Sequence, residues 1–159
     1  MTPRSCGRTN TARALKKDGD DQAIGRSKGG LSTKIHATVD ALGHPTGFLL
    51  TPGQACDREG ADALLPVLEA PIVLADKGYD ADERVLQPLA QAGKTAVIPP
   101  KANRKIQRND DKDLYQARHL IENFFCRLKQ FRAIATRYDK TARNFLAAVH
   151  LAAVTIWLN

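Results

Sequence analysis

Five side chains in this sequence have the types and spacing to act together on a phosphate ester: Asp76, Tyr115, Arg118, Glu122 and Lys129. At about 100° per residue, a helix brings Tyr115, Arg118, Glu122 and Lys129 within about 60° of one another. That face holds one carboxylate among cations. Asp76 ends the short apolar run PIVLAD. A strand end is where open α/β sheets commonly place chemistry. Two carboxylates, with phosphate and water completing the shell, suit Mg²⁺, which rarely uses an all-protein cage. Paired divalent ions can activate an attacking oxygen and stabilise a leaving one in phosphodiester chemistry. Arg118 and Lys129 would then contact phosphate oxygens. Taken singly, each acid has a plainer use: Asp76 as a turn former, Glu122 as an i,i+4 partner of Arg118. Their combination carries the reading.

The elements that must position these groups follow from periodicity. Tyr115 to Lys129 reads as one amphipathic helix. Leu114, Ala117, Ile121, Phe124, Phe125, Leu128 and Phe131 form its apolar face. LSTKIHATVD alternates, with Ile35, Ala37 and Val39 on a covered face and Lys34, His36 and Thr38 on a polar one. Gly43 and Pro45 turn the chain into a second strand, TGFLLTPG, making a hairpin. Asp57 is placed to cap a helix through Ala70, with Ala61, Leu64, Leu65 and Leu68 as its buried stripe. PIVLAD, unbroken and apolar, reads as a central covered strand. Asp80 or Asp82 caps the next helix and Gly93 ends it. TAVIPP is a further strand stopped by Pro99 and Pro100, and two helices close the chain. The order β-β-α-β-α-β-loop-α-α is a mixed α/β pattern. His36 and His119 read as surface histidines. His150 reads as a satisfied buried histidine of an apolar last helix, and Trp157 as a core or end-packing residue.

The net charge is +7, and all of it lies between Lys101 and Arg143, where twelve basic residues face five acidic ones. The rest of the chain balances. Lys101, Arg104, Lys105 and Arg108 lead into the Tyr115 helix, and Arg132, Arg137, Lys140 and Arg143 extend the block. Such concentration favours a polyanionic partner, with phosphate contacts giving affinity and register. Cys6, Cys56 and Cys126 have no metal-site spacing and fit a reduced, cytoplasmic protein. The apolar run from Phe145 to Leu158 is too short for a membrane span.

Tyr115-x₂-Arg118-x₃-Glu122-x₆-Lys129 resembles the tyrosine–arginine–glutamate–lysine signature of DDE transposases encoded by bacterial insertion sequences, in all four residues and all three spacings. VLADKGYD is similar to the same family's second-aspartate motif and places that acid at Asp76. IGRSKGGLSTKIHATVDALGHP and IATRYDKTARNFLAAVHLAAVTIWL also resemble the family, in its insertion-sequence four/five superfamily. The resemblance runs from about Gln22 to Asn159. It implies a ribonuclease H-like α/β fold, a Mg²⁺ or Mn²⁺ requirement, and cutting and joining of DNA at element ends and target. It assigns Asp76 and Glu122 to metal and Arg118, Lys129 and Tyr115 to phosphate and packing roles. A homo-oligomer, or association with full-length transposase, accompanies it.

One departure limits that assignment. The family has a third acid, on a strand before the hairpin, and MTPRSCGRTNTARAL contains no Asp or Glu. Asp18, Asp20 and Asp21 stand in a Lys/Gly-rich stretch, and residues 1–21 read as an irregular lead-in. The expectation is a partial catalytic domain, residues 22–159, lacking its first central strand and, alone, inactive. The alternative is a non-catalytic DNA-binding remnant or inhibitor.

Overall fold

Alternation along residues 30–52 does build a hairpin. In the computed structural model, which describes residues 4–5, 22–104 and 111–158, β3 (Gly30–Val39) pairs antiparallel with β4 (Pro45–Pro52). The register sets Ile35 against Leu50, His36 against Leu49 and Ala37 against Phe48. The other edge of β3 carries β2 (Gly25–Ser27), joined to it by a tight turn, and β1 (Arg4–Ser5). The remainder of the 1–21 lead-in, including Asp18, Asp20 and Asp21, lies outside the described residues.

The sheet is covered on both faces, not one. Ile35 and Ala37 pack on α4 (His119–Leu128), α5 (Arg132–Thr136) and α6 (Ala142–Leu158), through Ile121, Phe124, Phe125, Leu128, Ile134, Phe145 and Val149. Each such large side chain, fully buried, contributes about 1.5–3 kcal/mol. The opposite face meets α1 (Asp57–Leu64). His36, expected at the surface, is therefore fully buried, and its Nε2 is 2.8 Å from Thr51 Oγ1. Burial holds its pKa below the usual imidazole range.

Gly60 makes that packing possible. A Cβ there would lie 2.2 Å from His36 Nδ1. Gly60→Ala should cost about 1–3 kcal/mol despite the better helix propensity of alanine, because the buried ring has no room to retreat. Chemical denaturation of the two proteins checks this; equal midpoints would show that the ring shifts freely.

A second core lies under α1. β5 (Ile72–Leu74) pairs in parallel with β6 (Thr95–Val97), and Ala61, Leu64, Leu65, Val73, Tyr79, Val85, Leu89 and Ile98 close around them. β5 is not the fully covered central strand expected: Ile72 is 43% exposed, and among the described residues the pair forms its own two-stranded sheet. Caps also differ from expectation. Cys56, not Asp57, is the N-cap of α1, its N–H donating to Glu59 Oε1 at 3.2 Å. A wide turn over Asp82–Leu86, entered through Ala81, runs into α2 (Gln87–Gln91). Gly93, at φ +68°, follows it as expected.

The last helix buries Phe145, Val149, Ala152 and Ala153 but leaves Leu151, Val154, Trp157 and Leu158 exposed. His150 is exposed too, set edge-on to Phe48 at 5.0 Å, and Trp157 tilts against His44 at 5.7 Å. His150 thus lies outside the core expected for it, and Trp157 packs at the end of the helix. No helix among the described residues is long and apolar enough to cross a membrane.

Candidate active site

The helix read as continuous from Tyr115 to Lys129 is two helices. α3 (Lys112–Gln116) is capped by Asp111, whose carboxylate accepts from the backbone N–H groups of Asp113 and Leu114. The chain turns at Ala117–Arg118 and α4 begins at His119. Leu114, expected on the buried face, is partly exposed as a result. Ile121, Phe124, Phe125 and Leu128 hold α4 to the sheet, so Glu122 stands at the margin of that packed face.

Arg118, at the turn, reaches both acids. Its Nη2 donates to Glu122 Oε1 at 2.9 Å, and its Nη1 is 3.7 Å from Asp76 Oδ2. The guanidinium also lies 5.5 Å from the centre of the Tyr115 ring. Asp76 itself follows β5: the Ala75 N–H continues the ladder to Val97 O at 3.3 Å, and Asp76 then opens the short turn Lys77–Tyr79. Both carboxylates are partly exposed, at 39% for Asp76 and 30% for Glu122. The structure thus brings Asp76, Arg118, Glu122 and Tyr115 together. Lys129, exposed at the C-cap of α4, stands two turns from Glu122, about 10 Å along the axis. Beside Asp76 an open cavity of about 400 Å³ is lined by Lys77, Gly78, Lys101 and Ala102.

The chain matches the family described as Transposase DDE domain over residues 8–157. It is also 41% identical, over 129 residues, to a Brucella ovis protein described as a transposase for insertion sequence element IS6501, covering 80% of this chain and 99% of that relative. The chain belongs to the DDE transposase family. No solved structure gives a significant match.

The described basic residues expected to contact DNA divide into three groups. Arg132 and Lys140 are exposed, as is Lys129. Lys101 and Arg104 are held at Asp80: the Lys101 backbone N–H donates to Asp80 Oδ2 at 2.9 Å and its Nζ to Asp80 O at 3.1 Å, while Arg104 bridges the Asp80 and Asp82 carboxylates. The Asp82 carboxylate, with Asp80 behind it, holds the Arg104 guanidinium above its usual range. Arg137 corrects the expected polyanion-facing surface. It is only 2% exposed and donates into the core, to Ala23 O at 3.0 Å, Gln22 O at 2.6 Å and Thr33 Oγ1. Lys105 and Arg108 lie outside the described residues.

Two groups near Asp76 were missed by sequence reasoning. Asp57 accepts from Lys34 Nζ at 2.7 Å, and its other carboxylate oxygen would lie 4.0 Å from a Cβ on Gly78. Tyr79 is buried, its hydroxyl without a hydrogen-bond partner among the described residues. Burial, then Asp57 and Asp76, push its ionisation up, so it stays neutral. The tyrosine was visible inside VLADKGYD. The Lys34–Asp57 pair gave no local signal, because it joins a strand to a helix far along the chain.

Proposed function

We propose that the chain is a partial catalytic region of an insertion-sequence transposase, cleaving DNA at element ends and joining the freed 3′-hydroxyl to target DNA. One observation carries this reading: a single guanidinium, Arg118, contacts two acids from separate cores, Asp76 and Glu122. The donor set fits a divalent ion. Two partly exposed carboxylates are hard oxygen ligands, and Mg²⁺ or Mn²⁺ completes its shell with phosphate and water. When bound, the ion supplies charge stabilisation at the scissile phosphate. Arg118 orients both carboxylates and offers its fork to the same phosphate. Lys129 reaches a neighbouring phosphate, and Tyr115 supports the Arg118 side chain. Lys101, Arg104, Lys105, Arg108, Arg132 and Lys140 are the proposed flanking DNA contacts, Arg137 being excluded by its burial. An antiparallel β3–β4 pair and a parallel β5–β6 pair, separate among the described residues, support a ribonuclease H-like sheet without its first central strand. The insertion-sequence four/five assignment and self-association, or association with a longer transposase, belong to the same proposal.

A second reading rests on a specific observation. Among the described residues no group of three or more His, Cys, Asp or Glu is placed to hold a metal ion. A chain with two of three acids would bind DNA without cutting it. Mg²⁺-dependent nicking of supercoiled DNA separates the readings. On the first, the complete transposase nicks, and Glu122→Gln in it abolishes nicking while duplex affinity stays within about twofold, since one partly exposed carboxylate contributes little to phosphate binding. Unchanged nicking by Glu122→Gln would sink the assignment. Nicking by these 159 residues alone would refute the second reading.

A further inference from the structure

The stretch GRSKGG, outside the basic block that runs from Lys101 to Arg143, forms the tip of the β2–β3 hairpin. Ser27 pairs with Gly30 across a turn at Lys28–Gly29, and Gly30 takes φ +104°. The turn is fixed by its own hydroxyls. Ser27 Oγ donates to Gly30 O at 3.1 Å, accepts from the Gly29 N–H at 3.3 Å, and accepts from Ser32 Oγ at 3.0 Å. The loop after β4 packs down against it. The Gly53 N–H donates to Ser32 O at 3.0 Å, and the Gln54 side chain occupies the space above Gly25 where a Cβ would sit. Between hairpin and loop lies an open cavity of about 570 Å³, lined by Arg26, Lys28 and Lys34 with Ser27, Gly53 and Gln54 among the other residues, and by no carboxylate.

Lys34 is committed to Asp57 and to Ala55 O. Arg26 and Lys28 are exposed, and among the described residues neither has an ion-pair partner. Arg26 lines the cavity from β2 and Lys28 from the turn that follows it. A rigid, glycine-lined concavity with two free cations and several hydroxyl and amide groups has the chemistry of a phosphate-backbone site. Its location adds direction. Lys34 runs from this cavity to Asp57, and Asp57 faces the Gly78 turn that follows Asp76.

We infer that the β2–β3 hairpin is a second DNA-backbone contact, gripping phosphates of the same duplex whose scissile bond lies at Asp76 and Glu122. The inference rests on the transposase reading above and deepens it. The test is equilibrium binding of the full chain to a labelled DNA duplex of arbitrary sequence, across a salt series. Arg26→Ala with Lys28→Ala should weaken binding roughly tenfold at moderate salt and lower the slope of log affinity on log salt by about 1.8, at about 0.9 for each phosphate no longer neutralised. The charge-conserving swap, Arg26→Lys with Lys28→Arg, should keep the parent slope. A double-alanine variant with the parent's affinity and slope overturns the hairpin site while leaving the transposase reading intact. Loss of slope in the swap as well would show that hairpin shape, not charge, is responsible, and overturns it too. A parent chain that binds no duplex overturns both.

Discussion

Replacing Arg118 by alanine in the complete transposase lowers Mg²⁺-dependent nicking by about a hundredfold or more, the usual scale for removing one preorganised donor from a site of developing charge. The expectation comes from placement. Arg118 touches both Asp76 and Glu122, and it sits at the turn between α3 and α4, where the backbone is held by Leu120 N–H to Ala117 O at 3.1 Å and Arg118 N–H to Tyr115 O at 3.0 Å. Folding should hardly notice the change. The side chain is partly exposed, and ion pairs in such settings contribute about 1 kcal/mol or less. A second readout separates chemistry from mere loss of charge. Without the guanidinium the two carboxylates lose the cation that touches both, so Mg²⁺ or Mn²⁺ should raise the melting temperature of Arg118→Ala more than that of the parent. Arg118→Lys keeps the charge but lacks the fork that spans two acids, and should recover little of the rate. Parent-level nicking by Arg118→Ala would remove Arg118 from the site.

The largest loss of stability is expected at Arg137. Its backbone is left-handed, at φ +46°, and its guanidinium lies 4.8 Å from the centre of the Phe145 ring while donating to Gln22, Ala23, Thr33 and Asp139. Burial pulls its pKa below the ordinary arginine range, with Asp139 opposing, yet arginine stays charged at any working pH. Arg137→Ala removes several charge-assisted hydrogen bonds, takes a donor from each acceptor and opens a void beside Phe145. Relief of the buried charge offsets part of this. The net cost should be about 3 kcal/mol, which for a chain of this size lowers the melting temperature by roughly 6–12 °C. Arg137→Met, which refills the space without the donors, should recover only part of the loss. Calorimetry of the three proteins decides; an unchanged melting temperature for Arg137→Ala would mean the network contributes nothing. DNA affinity should change little, in contrast to Lys129→Ala.

These two arginines show what sequence could and could not supply. The hairpin of β3 and β4 was legible because alternation and the Gly43–Pro45 turn are local signals. The spacing of Arg118 and Glu122 was legible because it is a helical spacing, i to i+4. The break at Ala117–Arg118 was not, since neither glycine nor proline marks it and the apolar period runs on through it. His36 was misplaced because alternation tells which side chains share a face, not whether that face meets water; α1 covers it, with Gly60 allowing contact. Arg137 was misplaced for a related reason. Its acceptors, at Gln22 and Ala23, are more than a hundred residues away, and no local pattern announces them. The pairing of Asp76 with Glu122 was read from a strand-end acid and a helix acid set among cations, and the family resemblance reinforced it, because nothing in composition or period joins a strand end to a distant helix.

The two acids stand on different hydrophobic cores, Asp76 at the edge of the one built around β5 and Glu122 at the edge of the one built around β3 and α4. Arg118 is therefore a clasp across a seam. Any ligand that takes hold of both carboxylates ties the unfolding of one half to that of the other. Bound ligand should then do more than raise stability. It should sharpen the transition, merging separable local openings into one event. The geometry of the acid pair is, in that sense, a gauge of how well the two halves are aligned.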